Sequence, residues 1–391
     1  MTDSERSGFF FDEKFDENFD ASDGEKRGEK SSEESGEKSG EKSGEFDLIQ
    51  RYFLNLGTSN ADPRAARSHD VDASRRDRVT EGVENAISTK EAKVPEGGQE
   101  ANGRHSSIRL GNGDDAALLK LASGESVCVS IDTMVAGVHF LEDSGADLIA
   151  YRSLAAATSD LAAMGARPIG CLLALTLPCA DQPWLASFRL GLEQATQILN
   201  IPLVGGDTTR GPLTVTVQVL GAVEESKALR RDGAKEGDAL CVSGTLGDAA
   251  AGLAIVRGEL EASVPDSRYL VDRFWKPRPA IALARQLRGM ASAAIDLSDG
   301  LLADAGHIAR ASDLGLRIES SQLPLSPALT RSVSSEKATN WALCGGEDFE
   351  LCFSLPSQLR LPEGCTRIGT FVSGSGVDCD FEVDRQGFQH F

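Results

Sequence analysis

The chain has 391 residues, with 60 acidic against 40 basic side chains, a formal net charge of −20 and eight cysteines. That length allows two domains, and the acidity excludes a nucleic-acid surface, which needs basic patches. No apolar run reaches the roughly 20 residues of a membrane span. The cysteines contain no CxxC pair, which favours buried thiols in a reducing cytoplasm over a disulfide scaffold.

The first 45 residues hold 15 acidic and 7 basic side chains, and from Gly24 the chain stutters as GEKRGEKSSEESGEKSGEKSGE. Residues 1–43 are expected to form a disordered low-complexity arm, because they cannot bury enough apolar surface to offset chain entropy. The arm is unlike a signal or transit peptide. Its GEKS repeats lack the glycine–lysine step and the preceding strand of a phosphate loop. Ordered sequence begins near Glu45, where Phe46, Ile49, Tyr52 and Phe53 have helical spacing. Residues 57–107 are polar and read as a disordered insertion.

From Ile108 strands and helices alternate. VCVSID predicts a strand ending at Asp132, and 147–164 a helix apolar on nearly every face, hence buried. IGCLLALTLP predicts a strand, 184–199 a helix, PLVGGD a short strand entering a glycine turn, and LTVTVQVLGAV a two-faced strand. This closes a first domain, 44–225. In the second, 226–391, ALCVSG reads as a strand, and 247–256 and 279–287 as helices. AAID is a strand running into an LSDG turn and a helix over 301–311, and GGEDFEL is a glycine turn entering a strand. The mixture gives an α+β or α/β class.

Aspartates stand where aspartate is costly. Asp114 and Asp115 follow a glycine turn, Asp132 belongs to a strand, and Asp160 lies among Ala, Leu, Thr, Ser and Met. Asp207 follows two glycines, and Asp296 and Asp299 flank a strand end. Buried carboxylates must find cations or donors. Few Lys or Arg lie near them in sequence, whereas hard divalent metals suit all-oxygen ligands. With the acid-bearing GGEDFEL turn, six such segments in two halves point to a Mg-dependent phosphate enzyme. Asp299 opens a helix whose free backbone donors attract anions. LGNGDDAALL lacks the third glycine of a dinucleotide fingerprint.

Taken in order, GEFDLIQRYF, GNGDDAALL, SIDTMVAGVHF, TSDLAAMGARP, GGDTTRGPL, SGTLGDAAAGLAI, AIDLSDGLLADAGHI, GGEDFELCF and the closing GFQHF resemble thiamine-monophosphate kinase. That family belongs to the ATP-binding superfamily of aminoimidazole ribonucleotide synthetase and selenophosphate synthetase. The resemblance spans 44–56 and 108–391, and it implies two αβ-sandwich domains, an α+β fold and a homodimer. It also implies ATP-dependent, Mg2+-dependent phosphorylation of thiamine monophosphate to thiamine diphosphate by in-line transfer, the last step of thiamine diphosphate biosynthesis. No protein nucleophile is implied.

On the same resemblance, Asp115, Ser130, Asp132, Asp160, Asp207, Asp296 and Asp299 would hold several Mg2+ ions. Gly206, Asp207, Arg231 and Ser298 would touch ATP, and His139, Glu347 and Phe388 would line the thiamine end. The family commonly has a hydroxyl residue where this chain has Ile131, which would remove one side-chain metal contact. The rival readings are another ATP-dependent synthetase of the superfamily and a non-catalytic nucleotide-binding protein that keeps the fold. A selenophosphate synthetase would want a reactive cysteine near the N-terminus, but the first cysteine here is Cys128.

Overall fold

The computed structural model of the chain describes residues 48–53, 56 and 107–383. The acidic arm, the 57–107 insertion apart from Ser107, Phe46 and Phe388 lie outside the described residues. A short helical turn, Ile49–Phe53, buries Tyr52 and Phe53, with Leu48 and Leu56 beside it, in the core of the N-terminal half. Phe53 meets Phe188 edge to face.

Strands β1 (Ile108–Leu110) and β2 (Leu118–Leu119) pair antiparallel across the GNGDD turn. Then β3 (Glu125–Val135), β4 (Arg167–Leu177), β5 (Leu203–Arg210) and β6 (Thr214–Glu224) form a sheet in the order β3-β6-β4-β5. Only β4 and β5 run parallel in it. Two corrections arise here. Asp132 lies within β3 opposite Val217, because the alternating TVTVQV run of β6 continues the ladder past the expected end. Gly205 and Gly206 also lie inside β5. Gly206 faces Leu173, where a Cβ would fall 2.1 Å from the Leu173 carbonyl oxygen, so glycine permits close strand approach rather than a turn.

Helices α1 (Ala146–Ala163) and α2 (Gln182–Leu199) pack together, and α1 lies on β3 and β6. The far side of that sheet has no helix among the described residues. Val127, Val129 and Ile131 point outward there, each more than half exposed.

The C-terminal half comprises β7 (Ala239–Ser243), α3 (Asp248–Val256), α4 (Val264–Trp275), α5 (Ile281–Leu287) and β8 (Ala293–Asp296). Next come α6 (Leu301–Ala311), β9 (Gly315–Ile318), α7 (Pro327–Ser332) and α8 (Ser335–Cys344). It closes with β10 (Leu351–Leu355), β11 (Cys365–Val372) and β12 (Gly376–Cys379). Its sheet runs β12-β9-β11-β7-β10-β8, with β12 and β9 parallel and the remaining pairs antiparallel.

Alternation along the strands splits the residues of this sheet between two cores. Leu240, Val242 and Ile295 meet Leu301, Ala305 and Ile308 of α6 on one face. Cys241, Ala294, Leu351 and Phe353 meet Ala284 and Leu287 of α5 and Ala162 and Ala163 of α1 on the other. Helix α1 is thus covered by both sheets, and 15 of its 18 residues are buried. Its lack of a polar face follows from that position.

Helices α4, α7 and α8 were not anticipated, although each carries a start signal. The Ser263, Ser326 and Ser334 hydroxyls accept the backbone N–H groups of Asp266, Leu329 and Lys337, and prolines occupy the first turns of α4 and α7.

Candidate active site at the seam of the two halves

Strand alternation turns Ser130 and Asp132 of β3 toward α1, away from the face that carries Val129 and Ile131. The Ser130 hydroxyl donates to the Asp160 carboxylate at 2.5 Å. Burial and the charge of Asp160 push the Asp132 carboxyl up to about 6. Asp296, at the end of β8 and 4% exposed, is pushed up to about 7 by burial and then by the same Asp160 charge. Ser130 thus touches Asp160, and Asp132 and Asp296 lie within electrostatic reach of the same carboxylate, so four predicted residues from three elements gather around α1. The Ile131 departure falls on the opposite face of β3 and leaves their donor set intact.

Two further segments adjoin Asp296. In the LSDG turn the peptide N–H groups of Ser298, Asp299 and Gly300 all donate to one Asp304 oxygen, at 3.0, 3.1 and 3.1 Å. Asp304 thus fills the donors of the turn that precedes α6, including that of the N-cap Gly300, and the N–H groups of Leu301, Leu302 and Ala303, where anion-attracting donors are expected, are not among them. Burial raises the Asp304 carboxyl to about 7. Asp299 stays exposed and Ser298 half-buried.

The GGEDFE loop zips onto this turn. The N–H groups of Glu347 and Phe349 donate to the carbonyls of Ser298 and Leu297, at 2.8 and 2.9 Å. The loop is backbone-strained, with positive φ at Gly346, Glu347 and Phe349. A Cβ on Gly346 would stand 2.6 Å from the Ser298 carbonyl oxygen. The Asp348 carboxylate caps α3 by accepting from Gly247 and Ala249, and burial raises it to about 7. Glu350 accepts from Ser243 and pairs with Arg273, which also lies near Asp248. Glu347 forms an ion pair with Arg152 of α1.

Other predicted residues lie on separate segments. Asp115 and Asp207 are exposed, and Asp114 and Asp207 carboxylates accept from the N–H groups of the residues that follow them. Gly206 and Arg231 are exposed. His139 sits in the turn after β3, where its Nδ1 accepts from Val135 N–H at 3.1 Å. Among the described residues, no three His, Cys, Asp or Glu form a ready-made metal cage. Sequence reasoning missed Arg152, Asp304 and Asp348. Arg152 was legible by the argument that singled out Asp160, since it is a charge in a helix without a polar face.

The sequence matches the AIR synthase related protein N-terminal domain over residues 113–223 and the corresponding C-terminal domain over 235–357. It is 50% identical over 254 residues to thiamine-monophosphate kinase of Escherichia coli K12, covering 65% of this chain and 78% of that one. The chain belongs to the thiamine-monophosphate kinase family. A crystal structure of thiamine-monophosphate kinase from Stenotrophomonas maltophilia K279a superimposes with a TM-score of 0.67 at 44% identity, over 71% of this chain and 92% of that one. AaThiL complexed with AMPPCP and TMP gives a TM-score of 0.65 at 32% identity, over 71% and 91%. E. coli HypE, a hydrogenase maturation protein, shares the fold at 23% identity and a TM-score of 0.57.

Proposed function

We infer that the chain transfers the γ-phosphoryl group of ATP to the phosphate of thiamine monophosphate, giving thiamine diphosphate and ADP as the last step of thiamine diphosphate biosynthesis. The observation that carries this reading is the meeting of Ser130, Asp132, Asp160 and Asp296, in a chain similar to one solved with AMPPCP and TMP. An acceptor phosphate oxygen bonds to the γ-phosphorus as the bond to the β–γ bridging oxygen breaks, and the electron pair leaves with ADP. The acceptor is already ionised near neutral pH, so positioning and charge neutralisation are needed more than a protein nucleophile.

The gathered residues fit a divalent cation. They offer only oxygen donors, and two of the carboxyls are pushed toward neutrality by burial and by a neighbouring negative charge. Hard ions such as Mg2+ suit such a set. Ser130, Asp132, Asp160 and Asp296 would hold it, with Asp115, Asp207 and Asp299 reaching further ions from the flanking segments. Bound there, the metal would neutralise phosphate charge and align the reacting oxygens. Gly206, Asp207, Arg231 and Ser298 are assigned to ATP, and His139, Glu347 and Phe388 to the thiamine end, where an aromatic ring can stack on a cationic thiazolium.

The open face of β3 and β6 is assigned to a second copy of the chain. Val127, Val129 and Ile131 form an apolar row that a twofold pairing would bury. Gly206 and Asp207 stand on edge strand β5 of the same sheet. All eight cysteines are free, which supports a reducing cytoplasm, and no helix of the described residues is long and apolar enough to cross a membrane.

The test is a product assay with purified protein, ATP, Mg2+ and thiamine monophosphate, in which thiamine diphosphate is resolved by chromatography. Product that requires both ATP and Mg2+ is expected. Absence of product, with ATP still raising the melting temperature, would move the reading to a synthetase of the superfamily.

A further inference from the structure

Arg152 is an expensive residue. It lies in the middle of α1, 1% exposed, and burial lowers its ionisation to about 9, so it remains a cation at neutral pH. A guanidinium there needs compensation. It donates to the Phe274 carbonyl, stacks over the Phe274 ring at 4.0 Å, and forms an ion pair with Glu347, while neither its Nε nor its Nη2 has a hydrogen-bond partner. An apolar side chain of similar length would fill this space without the desolvation cost, so packing alone does not account for the charge.

Glu347 is its counterpart. The carboxylate is the opposite of buried chemistry, with a side chain 37% exposed, and it is presented from a backbone with φ of +63°. Its peptide N–H is fixed to Ser298 of the turn that carries Asp299. Arg152 stands eight residues before Asp160, about two helical turns, on the same helix. One rigid element thus holds both a member of the carboxylate group and the cation that meets Glu347.

We propose that Arg152 is a positioning residue for the acceptor substrate: from behind, it holds the Glu347 carboxylate in one orientation, leaving the exposed oxygen to receive the substrate. The inference rests on the reading above, in which Glu347 lines the thiamine end. Thiamine carries an exocyclic amino group and a cationic thiazolium, and both favour a fixed anion over a mobile one. Arg152 itself does not touch substrate, because Glu347 and the Phe274 and Phe349 rings enclose it. ATP recognition, by contrast, does not depend on this pair.

The test is steady-state kinetics on the full chain, with KM for thiamine monophosphate and for ATP determined separately. Glu347→Gln and Arg152→Met should each raise the thiamine monophosphate KM by about tenfold, with the ATP KM changed by less than about twofold. Arg152→Lys should recover part of the loss, since it keeps the charge without the planar fork and ring stacking. Combining Arg152→Met with Glu347→Gln should be no worse than the poorer single variant, because both changes remove one device. Arg152→Met is the variant at risk of not folding, in which case Arg152→Lys and Glu347→Gln carry the comparison. Equal effects on both KM values, or multiplicative losses in the double variant, would overturn the inference, as would a lowered melting temperature with both KM values unmoved. Wild-type protein without thiamine diphosphate synthesis would overturn the underlying reading and this inference together.

Discussion

Asp304 shows how one side chain shapes a site without facing it. A single oxygen accepts the N–H groups of Ser298, Asp299 and Gly300, which otherwise would be stranded at the start of α6. Asp304→Ala leaves those donors without their partner, and stability should fall by about 3 kcal/mol, with Asp304→Asn milder because it keeps an acceptor. Chemical denaturation of the two variants measures this, and equal losses would contradict the account. Asp348 offers a pH readout. Its folded carboxyl titrates near 7 against 3.8 for the ordinary group, so the folded state binds the extra proton between those values. The stability this contributes is present below about 4 and is lost as pH rises through about 7. Wild type should therefore lose stability relative to Asp348→Asn between pH 5 and 8, as read by melting temperatures, whereas a constant difference would remove Asp348 as the cause. Asp160, by contrast, was legible because its helix is apolar on nearly every face and offers no polar side for a charge. Asp304 and Asp348 were not, since an acid in a first turn or after a glycine pair reads equally well as a solvated cap.

At the scale of elements, α1 and β8 followed the sequence closely, because apolar runs bounded by a glycine, an aspartate or a turn leave few alternatives. Strand ends were less legible. The partner strand, not the local sequence, carries β3 past Asp132, and close approach to β4 rather than turning explains the glycines of β5. Helices α7 and α8 had serine caps but are short and weakly periodic, so they emerged only with tertiary packing, whereas α4 carried both a serine cap and a clear apolar face and was legible. The departure at Ile131 illustrates the same point: strand alternation, invisible in a residue-by-residue match, places it on the open face of β3. Ile131→Lys should leave the folded monomer intact, since the position is exposed, but shift a dimer toward monomer. Sedimentation of the two proteins at equal concentration decides this, and a dimer unaffected by the charge would contradict the assigned interface.

At the scale of the whole molecule, α1 is shared by two sheets. That arrangement sets Asp160 against Ser130 and Asp132 of one half and Asp296 of the other, at a distance in sequence that no local motif spans. The order of the segments was readable from the sequence, but their convergence was not, because it arises from packing between Asp160 and Asp296, 136 positions apart. We infer that these carboxylates carry phosphoryl transfer directly between the two substrates. Label from γ-labelled ATP, followed in the presence of Mg2+ and thiamine monophosphate with wild type beside Asp160→Asn, decides this. Label is expected in thiamine diphosphate from wild type, with a loss of about a hundredfold or more in the variant. Label released only as orthophosphate by wild type, or equal transfer by Asp160→Asn, would contradict it.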